Sequence, residues 1–183
     1  MTIEKFVVWV CSVMISASLA FGQVAANKPA PAASSNPAPK PANPNLIVLQ
    51  EAGIQYEIPA GWRTKPQKDA LQITSPDGGV SIIIGLATND NTEAMIAGLK
   101  EYLKRDYQNF KASSDLQKEN INDLRAVIEN GSGETSEGVM EWNIVVLMGG
   151  KRPVIAFTVA EQKAFRNSQG DYIKLVQSLK KAS

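Results

Sequence analysis

Four glutamates, Glu129, Glu134, Glu137 and Glu141, crowd the segment around "NGSGETSEG" (130–138). Two carboxylates held at a set separation can divide acid and base work between them. A glycine-rich loop is a poor place to hold that separation, so a solvated rim is the simpler reading. A second cluster, "ATNDNTE" (87–93), gathers oxygen ligands of the kind Ca²⁺ takes. It lacks the spacing and the glycine of an EF-hand loop and reads better as a helix cap. Lys151 and Arg152 sit at the tip of a predicted hairpin, "GGKR" (149–152), and offer an anionic partner two cations. Their plainer role is an edge-protecting turn. Trp62 and Trp142 complete the candidate binding surface, although each is a large ring beside a strand and is more simply a core plug.

Composition removes most other chemistry. There is no histidine, and the only cysteine is Cys11. The folded part therefore has no Ser-His-Asp or Cys-His machinery, and zinc loses its usual ligands. An enzyme would have to run on carboxylates, Lys, Tyr, Ser or a hard metal held by oxygen. No phosphate-binding loop, dinucleotide fingerprint, metalloprotease motif or nucleophile elbow occurs. No catalytic residue, metal ligand or cofactor is assigned, and the chain is expected to be non-enzymatic. Nineteen basic and 18 acidic residues leave a net charge of +1. Such a balance sets up no large field, so nucleic acid and anionic membrane surfaces are not expected partners.

The elements that must position these residues begin after an address and a tether. Residues 6–26 run 21 positions without a charge, and small residues gather near Ser18-Leu19-Ala20 and Ala20-Phe21-Gly22. This predicts a signal peptide over 1–22, with an uncleaved anchor as the alternative and export in either case. Cys11 lacks the small preceding residue of a lipid-anchor site and belongs to the apolar segment. Residues 23–45 hold six of the ten prolines and predict an extended Pro/Ala linker. At ~3.1 Å per residue it reaches roughly 70 Å.

The globular domain is expected over 46–183. "IQYEI" (54–58), "LQIT" (71–74) and "LRAVIE" (124–129) alternate, as strands with one wet face do. "VSIIIGLA" (80–87), "WNIVVLM" (142–148) and "PVIAFTV" (153–159) are apolar on both faces and need layers above and below. A helix is predicted over 90–110, capped by Asp90 and Glu93, with Met95, Ile96, Leu99, Tyr102, Leu103 and Phe110 on its apolar stripe. A last helix is predicted from Ser168, with Tyr172, Ile173, Leu175, Val176 and Leu179 buried and Lys180 and Lys181 at its end. Hairpin turns dominate. The fold class is therefore α+β: an α/β/α sandwich with a mainly antiparallel sheet of about six strands and helices on both faces.

One stretch narrows this further. A one-sided strand ending "IPAGW" (58–62), apolar hairpins, a long helix, three strands and a closing helix with "LVQSLKK" (175–181) resemble the PsbP-like group. That group includes the PsbP subunit of photosystem II and DcrB-like bacterial envelope proteins, and the resemblance spans about residues 52–181. Where many relatives turn on a glycine before the next strand, this chain has "INDLRA" (121–126), in which Asp123 tolerates left-handed geometry. The resemblance implies a non-catalytic accessory or binding protein. It carries no residue roles onto this chain. The expected partner is a protein of the cell envelope; the alternative is a small apolar ligand held between sheet and helix near Trp62, Tyr56 or Tyr102.

Overall fold

The computed structural model describes residues 43–88, 91–112 and 116–182. The leader and nearly all of the linker lie outside them. In chain order the described elements are β1 (Leu46–Leu49), β2 (Ile54–Glu57), β3 (Arg63–Pro66), β4 (Ala70–Thr74), β5 (Val80–Leu86), α1 (Thr92–Asp106), β6 (Gln108–Ala112), β7 (Gln117–Ile121), β8 (Leu124–Thr135), β9 (Gly138–Met148), β10 (Val154–Glu161), α2 (Gln162–Ser178) and β11 (Lys180–Lys181).

The strands predicted to be apolar on both faces lie at the centre. An eight-stranded sheet runs β3-β4-β5-β10-β9-β8-β6, with β7 also paired to β8, and its pairings are antiparallel. One face carries Ile82, Ile84, Val145, Leu147 and Val154 against Ile54, Tyr56, Leu175 and Leu179. The other carries Ile144, Val146, Ile155 and Phe157 against Met95, Ile96, Leu99 and Leu103 of α1. Each fully buried side chain of that size contributes roughly 1.5–3 kcal/mol, so α1 is held by its stripe rather than by propensity.

Two expectations about the sheet need correction. It has eight strands rather than about six, and a separate three-stranded sheet, β1-β2-β11, shares a layer with α2. The additional strands left no periodic apolar signal because they bury no face of their own. "RTKP" of β3 is exposed throughout, and "QKENI" of β7 is exposed except for Ile121. Such edge strands exist because a neighbour supplies the hydrogen bonds.

Helix boundaries shifted as well. α1 is capped by Asn91, whose side-chain oxygen accepts from the Ala94 N–H at 3.0 Å; Asp90, predicted for that role, is outside the described residues. The helix ends at Asp106, and Phe110 belongs to β6. α2 begins at Gln162, not near Ser168, and has no side-chain cap. It follows β10 directly, and Ala164 packs so closely on Gly79 that a Cβ there would lie 2.3 Å from the alanine methyl. Lys180 and Lys181 do not close the helix; they pair with Gln55 and Ile54 of β2. Gly170 lies inside α2, and a Cβ added there meets nothing within 4 Å. Gly170→Ala is therefore expected to stabilise the domain by about 0.5–1 kcal/mol, read from the urea midpoint at unchanged slope.

The glycine-rich segment 130–138 is the largest change. It was expected as a loop, yet β8 runs through Thr135 and β9 starts at Gly138. Gly131 faces Trp142 directly across the pair, and a Cβ there would sit 2.1 Å from Trp142 Cζ2. The glycine is the space the indole occupies. Phe110, turned inward at an irregularity of β6, stacks on the same ring with centroids 5.2 Å apart.

Candidate functional site

The four candidate residues divide by location. Trp62 is 7% exposed and Trp142 2%, so both rings lie in the two cores. Trp62 follows the Gly61 turn, where φ is +81° and the Trp62 N–H donates to the Pro59 carbonyl at 3.2 Å. Among the described residues, neither of these two indole N–H groups has a hydrogen-bond partner of good geometry. That of Trp62 nonetheless lies near Asp171, where it adds to the stronger pull of Lys174 that holds this carboxylate below its usual range. Lys151 and Arg152 are exposed at the β9–β10 turn.

The four glutamates do not form one site. Glu129 is 3% exposed and faces α1, where the Lys100 ammonium donates to its carboxylate. Glu134 accepts from Asn109 Nδ2 at 2.9 Å. Glu141 pairs with Ser132 and Glu129 with Ile144, so these two leave opposite faces of the sheet. Among the described residues no group of three or more acids is placed to hold a metal ion. The turn before β8 takes its left-handed geometry at Asn122, φ +51°, rather than at Asp123. Asn122 Nδ2 also donates to the carbonyls of Gln177 and Leu179, tying that turn to the end of α2.

Sequence reasoning passed over the surface that the fold does assemble. β1 is an edge strand of the small sheet, and all four of its residues, "LIVL", are half-buried. Beside it opens a cleft of about 690 Å³, lined by Ile47, Leu49, Leu71 and Leu86 along its floor. Lys68, Asp69 and Arg152 line it too, and Arg152 Nη1 donates to Glu51 Oε2 at 3.1 Å. Apolar floor, mixed charges and a strand with one unpaired edge are the features an extended peptide uses. The cleft's only sequence signal was the run "LIVL" directly after the proline-rich segment.

Neither a protein-family model nor a curated protein matches this sequence. Solved structures do match. LpqN of Mycobacterium tuberculosis, described as involved in cell envelope biogenesis, superposes with a TM-score of 0.54 at 14% identity, covering 75% of this chain and 90% of that one. The PsbP of Synechocystis sp. PCC 6803 (CyanoP) gives 0.53 at 10% identity, covering 74% and 91%. The fold is PsbP-like. A protein of Bacteroides thetaiotaomicron gives 0.52 at 8% identity, covering 76% of this chain and 48% of its own. At such identities the likeness is one of architecture, and residue roles do not travel with it.

Tyr56 is 0% exposed in the core, and Tyr102 lies under Arg105 with the guanidinium 5.6 Å from its ring. The 690 Å³ cleft is lined by neither, nor by Trp62. Beneath α2, Tyr172 donates to Asn143 Oδ1 at 2.7 Å, and Asn143 donates to Asn130. Burial pushes the Tyr172 phenol up to about 12, offset slightly by the Thr158 hydroxyl, and pushes Tyr56 up as well.

These phenols predict an alkaline limit to stability. Between pH 10, where an unfolded tyrosine ionises, and about 12, the folded chain keeps a proton that the unfolded chain has released. Stability contributed by Tyr172 is thus fully present below that window and falls by about 1.4 kcal/mol per pH unit within it. Urea midpoints measured at pH 9 and above should decline accordingly, and Tyr172→Phe should make the decline shallower.

Proposed function

We propose that this is an exported, non-enzymatic accessory protein of the cell envelope, acting through protein–protein contacts of its PsbP-like domain. The observation that carries the reading is the cleft beside β1, which pairs an apolar floor with an unpaired strand edge. Main-chain hydrogen bonds would supply affinity there and the floor residues would select alternate side chains of the partner. The apolar leader and Pro/Ala segment at 1–45 support export and reach, and the envelope role printed for LpqN is consistent with that address. In this reading residues 1–22 are the signal peptide, 23–45 the tether and 46–183 the binding domain.

The test is a photo-reactive side chain placed at Val48, on β1, and separately at Lys163, on α2, in the full chain in its native envelope. One stoichiometric protein captured from Val48 and not from Lys163, and lost on Leu71→Glu, is the expected result. Equal capture from both positions sinks the reading. A co-purifying lipid or metabolite with no protein would shift the role to carrying a small apolar ligand.

A further inference from the structure

At the tip of the β9–β10 hairpin, three segments distant in sequence close around a depression of about 390 Å³. They are 50–53, 149–151 and 181–182. The Lys151 N–H donates to the Ala52 carbonyl at 2.7 Å and the Ala182 N–H to the Gly53 carbonyl at 3.0 Å, so the main chain pins all three together. Much of the wall is bare backbone. Gly53 and Gly149 have φ of +62° and +113°, and a Cβ on Gly150 would lie 2.2 Å from the Ala52 oxygen. Side chains are excluded there by geometry, which leaves main-chain groups to face whatever enters.

Among the described residues, the charged side chains that line this wall are of one sign. Lys151 and Lys181 line it, no carboxylate does, and neither lysine has an ion pair among the described residues. Glu51, in the 50–53 segment, is engaged by Arg152. Outside the strand ladders, no backbone carbonyl among the described residues accepts from the N–H of Gly149 or Gly150. Two ammonium groups brought to one depression from separate elements raise its positive potential, which an anion between them would offset. Lysine serves such a ligand as a compact point charge, and consecutive backbone N–H groups serve it as neutral donors.

We propose that this depression binds an oxyanion of the phosphate type, with Lys151 and Lys181 supplying the charge and the Gly149–Gly150 turn supplying backbone donors. The depression adjoins the β1 cleft at Gln50, which lines both, but Lys151 and Lys181 line only the depression, so the proposal stands whether or not a protein partner docks at β1. Arg152 takes no part in it, because Glu51 already holds its guanidinium.

Titration of the full chain with inorganic pyrophosphate, and flotation with vesicles of phosphatidylglycerol against vesicles of phosphatidylcholine, test it. The variants are Lys151→Gln/Lys181→Gln, the charge-keeping Lys151→Arg/Lys181→Arg, and Lys163→Gln as a distant control. Loss of each charge-assisted contact weakens binding by about tenfold. Pyrophosphate binding that falls in the glutamine pair alone assigns a soluble anion. Preference for the anionic vesicles that falls in the same pair, without pyrophosphate binding, assigns a lipid headgroup. Binding in neither arm, or binding indifferent to the glutamine pair in a chain of unchanged circular dichroism, overturns the proposal.

Discussion

Replacing Lys100 with methionine is expected to destabilise the domain by about 3 kcal/mol, because it strands a buried charge. Glu129 is 3% exposed and Lys100 27%, and the two meet between β8 and α1. The carboxylate cannot reach water without lifting the helix, whereas the lysine already touches solvent. The effect should therefore be asymmetric. Glu129→Gln leaves a lysine that can swing outward and should cost nearer 1 kcal/mol. The double change Lys100→Met/Glu129→Leu, which removes both charges, should recover most of the stability lost in Lys100→Met. Urea denaturation of the four chains completes the cycle. A loss below about 0.5 kcal/mol in Lys100→Met would mean that Glu129 finds water or another donor.

Trp142→Ala should cost about 3–5 kcal/mol, the range for emptying a large ring from a packed core. The indole is 2% exposed, stacks on Phe110 and fills the space above Gly131. Gly131→Ala attacks the same contact from below. Its Cβ would lie 2.1 Å from the ring and 2.2 Å from the Lys111 carbonyl, and the second neighbour is main chain of β6. The ring can yield only by shifting Phe110, and the carbonyl only by shifting the strand. A comparable loss is expected, accompanied by faster hydrogen exchange of the β6 amides. Should Trp142→Ala keep the wild-type midpoint while abolishing partner capture at Val48, the ring would be a contact residue and not a core one.

What the sequence showed of this fold follows how much each segment buries. Strands apolar on both faces, β5, β9 and β10, were readable because two layers leave no room for polar residues. The stripe Met95, Ile96, Leu99 and Leu103 was readable for the same reason. Segments stabilised by a neighbour's backbone were not: β3 and β7 look like loops until β4 and β8 supply partners. The start of α2 was misplaced because Ser168 and Asp171 imitate a cap in mid-helix, while the true start at Gln162 has no capping side chain. Glycines 131 and 133 read as a loop because their purpose lies across the sheet, in the rings of Trp142 and Tyr107.

The candidate surface was legible only in part for a related reason. Lys151 and Arg152 stood out as a charged turn, but nothing local shows that Arg152 turns to Glu51 while Lys151 joins Lys181. Those assignments depend on which distant segments the small sheet brings to the hairpin. Trp62 and Trp142 attracted attention as large rings, and their size is what places them inside.

The small sheet also sets an order of events. β2 lies between β1, which immediately precedes it, and β11, some 120 residues later. During synthesis from the amino end, β1 and β2 emerge together with one side of β2 still unpaired. Only when Lys180 and Lys181 arrive can that side close, with the Ala182 N–H on Gly53 and the Asn122 side chain on Leu179. The first strands of the domain thus wait for its last residues, and the C-terminal segment works as a latch. A chain released before residue 180 would leave a sheet edge open beside an unfinished core, in the form that quality-control proteases and holding chaperones recognise.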